Sequence, residues 1–386
     1  MTTPDSSEIP PLQGLRVVEF GQYIAVPAAA QILGDLGADV IKVEAIAGDA
    51  ARYVGWADDA YGPMFSAYNR GKRSVVLDLR SERGRQQALE LACSADVVLQ
   101  NARPGTMERQ GLGAARLMEM APRMVYGQVS GFGQQGPASL RPGFDIAAQA
   151  ESGMMSLNGD ADRDPTRVGF TVVDVMASQV LSNGVLAALV RRGVTGRGGL
   201  VDISLIDVAV SAMANAWAEY HLSGRMPLRR GNIQPNTAPA ADVVRTADGM
   251  IVVSAYTQDH FGKLCAAIGA PELSSDPRFV ENAGRVANRP ALMDVLSQAM
   301  SHMTSDQVCD LLASAGVVAG VIRTMADVKA GQAGVSSDLF VEVTAPERVK
   351  IRVPSLPMNL PGVERRAGRL PALGEHTQEV LSALSL

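Results

Sequence analysis

The chain has 386 residues, 47% of them hydrophobic and 19% charged, with a formal net charge of −5; that is length for two cores and too apolar for disorder. It carries no basic stripe, so nucleic acid is not an expected partner, and an anionic ligand has to be met by local cations. Cys93, Cys265 and Cys309, like His221, His260, His302 and His376, lack disulfide or metal-ligand spacing, and the polar start Met1 to Pro11 has no apolar signal core, so the expectation is a cytoplasmic protein with no metal and no membrane span.

Leu15 to Phe20 reads as a buried strand ending at Gly21. Pro27 opens an alanine-rich helix closing near Gly34 and Gly37, and Asp39 to Glu44 is the next strand. Strand, helix and strand in so short a span form a parallel βαβ unit. The alternation continues through a strand at Ser74 to Leu79, a helix at Ser81 to Cys93 and a strand at Asp96 to Asn101. A short helix at Leu117 to Ala121 and a strand at Met124 to Val129 come after these. This predicts an α/β fold with an open, doubly wound parallel sheet. Gly21 stands alone where a dinucleotide site needs GxGxxG, so a nicotinamide dehydrogenase is a poor reading even though Glu44 resembles a ribose-binding acid.

From Asp174 to about Arg192 the pattern is helical, with Met176, Val180, Leu181, Gly184, Ala188 and Leu189 able to line one face. A strand at Leu200 to Ser204, a helix at Asp207 to Leu222 and a linker at Gly224 to Pro239 come next. A strand at Met250 to Ser254, helices near His260 to Ile268 and Pro290 to Met303, another from Ser305 and a strand at Val317 to Ile322 suggest a smaller α+β domain. The proline-rich end, Val341 to Leu386, is too small for a core of its own and has to dock elsewhere. The division expected is residues 1–199 with 330–386 as the large domain, 200–239 as helix and linker, and 240–329 as the small domain.

Asp174 follows an apolar stretch at a helix start. There it reads as an N-cap, and the same place favours an ionised carboxylate able to attack an acyl carbon. The two readings are compatible. Asn101-Ala102-Arg103-Pro104-Gly105, with Arg109 one turn on, suits phosphate or adenine contacts at the carboxyl ends of parallel strands, or equally a proline-glycine turn with solvated arginines. Asn69 to Arg73, three cations in five residues, reads as a solvated loop. Ser130-Gly131-Phe132-Gly133 could bring backbone N–H groups to a ligand, and Arg229 to Asn232 reads as a turn.

Taken in order, these segments resemble the class III coenzyme A transferase family, which includes formyl-CoA transferase, the carnitine CoA transferases and α-methylacyl-CoA racemase. The likeness runs from Leu12–Phe20 and Leu36–Glu44 through Asn69–Ser74, Leu77-Asp78, Asn101–Gly105, Ser130–Gly133 and Pro142–Asp145. It continues through Asp174, Thr195–Gly198, Arg230–Asn232 and Asp248-Gly249 to Leu373–Thr377. The resemblance implies a large Rossmann-like domain built from both chain ends, a smaller domain from the middle, and an interlocked homodimer. It makes acyl-CoA and a carboxylic acid the substrates, with no cofactor beyond coenzyme A itself as substrate. The family's nucleophile falls on Asp174. Its CoA contacts fall on Ile24, Ala25, Leu77, Asp78, Arg80, Asn101, Ala102, Arg103 and Arg109, and on the Arg141 to Phe144 segment with Pro142 and Phe144. Gly131, Gly133 and Gly231 are candidates for a substrate cover.

Two departures bear on function. Ala45 stands where the family often has a CoA-gripping arginine, which leaves Arg52 as a candidate substitute. Phe144 stands where the racemases have histidine, and racemisation needs two bases at an α-carbon, so transferase is favoured over racemase. An isomerase and a non-catalytic acyl-CoA binder are the alternatives.

Overall fold

Six strands form one parallel sheet in a computed structural model: β1 (Arg16–Phe20), β2 (Asp39–Glu44), β3 (Arg73–Val76), β4 (Val97–Gln100), β5 (Val125–Ser130) and β6 (Gly199–Ser204). The structure describes residues 9–55, 60–232, 240–346, 350–365 and 367–384; the polar tail at 1–8 and the linker's end at 233–239 lie outside these. β1, β2, β4 and β5 are near-continuous buried runs, as parallel strands covered on both faces must be. The order β3-β2-β1-β4-β5-β6 is that of a doubly wound sheet. It reverses between β1 and β4, and outside the carboxyl ends of those strands lies the crevice such folds use for ligands.

One helix, Val172–Thr195, braces the sheet and carries Asp174. Val173, Ala177, Leu181, Val185 and Ala188 recur at helical spacing and are buried. The helix lies against the first helix (Ala25–Asp35), β5 and β6. A side chain at Gly184 would meet Val201 Cγ1 at 2.5 Å, so glycine is what lets the helix sit down on β6. Gly196, at φ 72, ends it in the left-handed conformation. By length and composition this helix could cross a bilayer, which corrects the expectation that no such stretch exists. Its apolarity has a local cause, since one face is the core of the sheet domain.

The chain divides into two compact units, Met1–Met155 with Arg167–Arg225 and Ser336–Leu386, and Ser156–Thr166 with Met226–Val335. Residues 200–225, expected as helix leading into a linker, fall within the first unit, where β6 completes the sheet. The single helix expected from Asp207 to Leu222 is two, Leu205–Ala212 and Ala214–Ser223. Leu205, Val208 and Ala209 anchor the former, whereas the latter has no buried residue, so no common buried face holds one axis through Met213.

The second unit has an antiparallel sheet, β7 (Ala240–Arg245), β8 (Met250–Ala255) and β9 (Val318–Val321), in that order. Phe261, Leu264, Phe279, Leu292, Leu296 and Leu312 form its own core. The chain's end docks on the first unit. It contributes β10 (Phe340–Thr344), β11 (Ile351–Pro354), β12 (Gly368–Arg369) and a helix (Thr377–Leu384) held through His376 N–H to Ser74 O at 2.9 Å.

The basic run before β3 is not a solvated loop. Asn69, Arg70 and Lys72 are buried. Lys72 Nζ donates to Glu19 Oε1 (2.9 Å), Pro27 O (2.8 Å) and Asn69 Oδ1 (2.9 Å), and Arg70 pairs with Asp35. Lys42 lies against Glu19 at 3.3 Å and Asp49 at 2.8 Å. Charges far apart along the chain, on strands, a helix and loops, meet in the fold, a convergence that residue counts along one chain do not reveal.

Candidate active site

The site grows from the β1–β4 switch point. After β1 the chain turns through Gly21 to Ile24, with Tyr23 at φ 62, a costly conformation for a residue other than glycine. Four hydrogen bonds hold that turn. Lys42 Nζ donates to Gly21 O at 2.8 Å, Tyr23 N–H donates to Asp49 Oδ1 at 3.2 Å, and Asn101 brackets Gln22 by accepting from its N–H and donating to its O, both at 2.9 Å. Gln100 Oε1 accepts from Ala102 N–H at 2.7 Å. Ile24 and Ala25 therefore stand with Asn101 and Ala102 past the carboxyl ends of β1 and β4, their own side chains buried or partly so. Arg103 and Arg109 are exposed nearby in the chain, and Arg109 Nη2 donates to Thr106 Oγ1 at 3.1 Å. Leu77 follows β3 with its side chain in the core. Asp78 pairs with the exposed Arg80 at 3.1 Å, and hydrogen bonds from Arg80 hold its carboxyl below the usual range.

Arg52 cannot substitute for the arginine missing at Ala45. It is fully buried, Nε and Nη2 each donate to Glu44 at 2.7 Å, both terminal nitrogens reach Pro371 O at 3.3 Å, and its guanidinium lies 3.7 Å from the Phe65 ring centre. Glu44 also accepts from Ser74 Oγ at 2.6 Å, which occupies the group that resembled a ribose-binding acid.

Asp174 is the third residue of the long helix, not its N-cap. The cap position is Thr171, whose side chain makes no capping bond. A residue from elsewhere does that work. Asp145, at the start of the helix Asp145–Glu151, accepts on Oδ2 from Val173 N–H (2.7 Å) and Asp174 N–H (3.3 Å). Its other oxygen accepts from Gln149 Nε2 (2.6 Å), and Gln149 Oε1 accepts from Val168 N–H (2.8 Å). Asp145 and Gln149 are buried. Burial, with the Asp145 charge second, pushes the Asp174 carboxyl up to about 7. Burial and the Asp174 charge together raise the phenol of Tyr68, a residue that no sequence motif singles out. Asp145 belongs to the Pro142–Asp145 motif, but capping between two helices has no linear signature.

Phe144 is 57% exposed and meets Tyr23 edge-on, ring centres 5.6 Å apart. A side chain at Gly131 would come within 2.8 Å of Gly143 Cα, so that glycine marks a close backbone crossing. Gly133 stands at φ 86, where a side chain would meet only Gln135 O, at 3.9 Å. Pro142 is exposed, and Arg141 is engaged with Glu151 and lies over the Phe132 ring. Gly231 belongs to the second unit, where its N–H bonds Gly159 O at 2.9 Å. Among the described residues no three His, Cys, Asp or Glu side chains group as metal ligands. His376 Nδ1 accepts from Ser74 N–H at 3.2 Å, and His221 stacks on Trp217.

Comparison with known proteins gives the class. Residues 12–377 match the model of CoA-transferase family III, and the chain belongs to that family as a CoA-transferase. It is 38% identical to a probable fatty acyl-CoA transferase of Mycobacterium tuberculosis, over 88% of this chain and 89% of that one. A solved structure of a variant of that protein with one aspartate replaced by alanine superposes with a TM-score of 0.83 at 37% identity, covering 96% of this chain and 98% of that one. The succinyl-CoA–D-citramalate CoA-transferase of Chloroflexus aurantiacus is 35% identical over 98% and 96% of the two chains. A CaiB/BaiF family protein from Brucella suis gives a TM-score of 0.83 at 34% identity, covering 97% and 99%.

Proposed function

We propose that the enzyme moves CoA from an acyl-CoA to a free carboxylic acid through covalent intermediates on Asp174, with no resident cofactor. The observation that carries this is the Asp174 carboxyl itself, on a rigid first helical turn, desolvated and more basic than an ordinary aspartate. A carboxylate oxygen attacks the donor thioester carbon, the C–S bond breaks and the CoA thiolate leaves, giving a mixed anhydride. The thiolate then attacks Cγ of Asp174 and expels the donor carboxylate, leaving an aspartyl-CoA thioester. The acceptor carboxylate attacks that carbon, and the released thiolate attacks the acceptor acyl carbon to regenerate Asp174. Keeping water from both acyl intermediates is essential to this sequence.

CoA lies across the carboxyl ends of β1 and β4 in this reading, against Ile24, Ala25 and Asn101 to Arg103, with Arg109 as a phosphate contact and the Leu77–Arg80 turn and Pro142 at its borders. Phe144 forms an apolar wall. A phenyl ring accepts no α-proton, so 2-methylacyl-CoA substrates are not expected to exchange Cα–H with heavy water. Gly131 and Gly133 are proposed parts of a cover. The names of the relatives point to fatty and dicarboxylic acyl groups as the substrate range. The working form is an interlocked homodimer, a reading supported by exposed Val180, Val190, Val194, Leu200, Trp217 and Leu222 on and after the long helix; mass photometry at nanomolar concentration should find a dimer, and a stable active monomer refutes it.

Incubation with acyl-CoA alone tests the mechanism. It should leave a hydroxylamine-sensitive CoA adduct on the peptide containing Asp174, seen by mass spectrometry. Turnover without any such adduct under trapping conditions refutes the covalent route.

A further inference from the structure

The opening turn of the long helix poses an oddity. Helix N-termini stabilise anions because their free N–H groups point at them, and Asp174 sits in such a turn. Yet two of the free N–H groups, those of Val173 and Asp174, are taken by Asp145 Oδ2 at 2.7 and 3.3 Å. Asp145 is 4% exposed and is fixed from behind by Gln149, itself fully buried and bonded to the approaching chain at Val168. A neutral asparagine or serine would cap the turn equally well. An anion does so at the cost of standing beside another carboxylate.

We propose that Asp145 is a positioning residue of the transfer reaction, which fixes the first turn that carries Asp174 and, by taking its N–H groups, holds a negative charge beside the nucleophile. This role rests on the covalent chemistry of Asp174 and adds a chemical reason for it. In the mixed anhydride the returning thiolate has two carbonyl carbons to choose between. Attack on the donor acyl carbon expels Asp174 and returns to the starting thioester. Attack on Cγ of Asp174 breaks the other C–O bond, sends the electron pair away on the donor carboxylate and goes forward. The less basic carboxylate leaves more readily, so a basic Asp174 biases the thiolate toward its own Cγ. The same basicity makes it the better attacking group in the first step. Asp145 serves both steps without touching substrate.

The charged groups on elements packed against this helix are engaged elsewhere. Asp35 on the first helix bonds Gln31 and Arg70, Asp202 on β6 lies beside Gln128 and Gln134, Asp207 bonds Ser204, and Glu151 bonds Arg141. Tyr68 is a further titratable group that faces Asp174, and its phenol is pushed up. Burial and Asp145 together place the Asp174 transition near neutrality.

The test is the pH profile of Asp145→Asn, which keeps shape and an accepting oxygen but loses the charge, read with CoA affinity and melting temperature. In the parent enzyme kcat/KM should fall as pH drops through about 7, since the protonated Asp174 is no nucleophile. In Asp145→Asn the acid limb should move to lower pH by at least about half a unit. Its plateau rate should fall several-fold while the dissociation constant for CoA stays within about twofold. Asp145→Ser, a smaller neutral cap, should shift the limb the same way and serves if the asparagine variant misfolds. An unshifted limb in whichever variant folds overturns the proposal, as does a loss explained by weakened CoA binding alone. The Asp174 adduct separates the two readings. If the parent enzyme forms it and the limb does not move, only the Asp145 role falls. If the limb moves but no adduct forms, covalent catalysis falls and the coupling of the two carboxylates stands.

Discussion

On the β1–β2–β3 side of the sheet three buried carboxylates, Glu19, Glu44 and Asp49, are met by Lys42, Lys72 and Arg52. At the start of the long helix two carboxylates, Asp145 and Asp174, meet backbone N–H groups and each other. Burial acts in both places, and the outcome differs because compensation differs. In the first cluster burial opposes each charge, yet Glu19, Asp49 and Glu44 hold the Lys42 pKa above its ordinary value, and Arg52 pulls that of Glu44 below its own. Lys72 is the exception, its burial outweighing Glu19 and lowering it to about 8. In the second cluster nothing offsets desolvation and the neighbouring charge adds to it, so Asp174 rises to about 7. Matched charges anchor the loops that shape the crevice, while the unmatched carboxylate is the one available to react.

Removing the unmatched group should have the largest effect. Asp174→Ala should lower CoA transfer by three orders of magnitude or more, about 4 kcal/mol of transition-state stabilisation, with the fold intact by circular dichroism. A loss of only a few-fold would leave Asp174 as a helix residue like any other. Glu44→Ala attacks the matched cluster instead. It strands Arg52, whose side chain is fully buried, and should cost about 3–5 kcal/mol in thermal or urea unfolding. Its residual folded fraction should still transfer CoA, because neither residue is placed at the reacting atoms. An unchanged melting temperature would show that Arg52 finds other partners without strain.

The sheet was legible because alternating apolar runs and helices encode it locally, and Asp174 because it stands at the start of a long helical pattern. Its place on the third residue was not, since the cap position falls on Thr171, whose side chain makes no capping bond. The Asn69–Arg73 run misled for a physical reason. Composition marks charge as solvent-facing, whereas Lys72 finds Glu19 from a strand more than fifty positions earlier in the chain, at 2.9 Å. The same non-local pairing hid the fate of Arg52 behind Pro371 and Phe65. Asp145 was visible as a motif residue and invisible as a cap, because its partners lie on another helix.

A smaller effect separates the two kinds of arginine. Arg52 is saturated, whereas Arg109 is exposed and bonds Thr106 on its own short helix. Arg109→Ala should weaken CoA binding by about tenfold or more, the loss of a charge-assisted phosphate contact worth roughly 1.5–3 kcal/mol. Isothermal titration with CoA, with the melting temperature unchanged, checks it. An unaltered dissociation constant would remove Arg109 from the binding site.

The smallest effect is on stability. Asp174 has a folded-state pKa near 7, above the value of about 3.9 for a free aspartate. Between those values the folded state holds the proton more tightly than the unfolded state does. Stability therefore falls as pH rises from about 4 to 7, and the cost is fully present at pH 8. Asp174→Asn removes the ionisable group and keeps the shape, so it should stabilise the protein at pH 8 by roughly 1–2 kcal/mol, discounting for partial exposure. For a domain of this size that is a few degrees of melting temperature. At pH 5 most of the wild-type cost is already absent, and the two proteins should melt close together. The matched cluster should behave in the opposite sense, with Glu44→Gln destabilising at pH 8, because its folded pKa is lowered and its ionised form is the stabilising one. If Asp174→Asn were instead less stable at pH 8, the carboxylate would be compensated after all, and the contrast between a structural and a reactive cluster would fail at its second member.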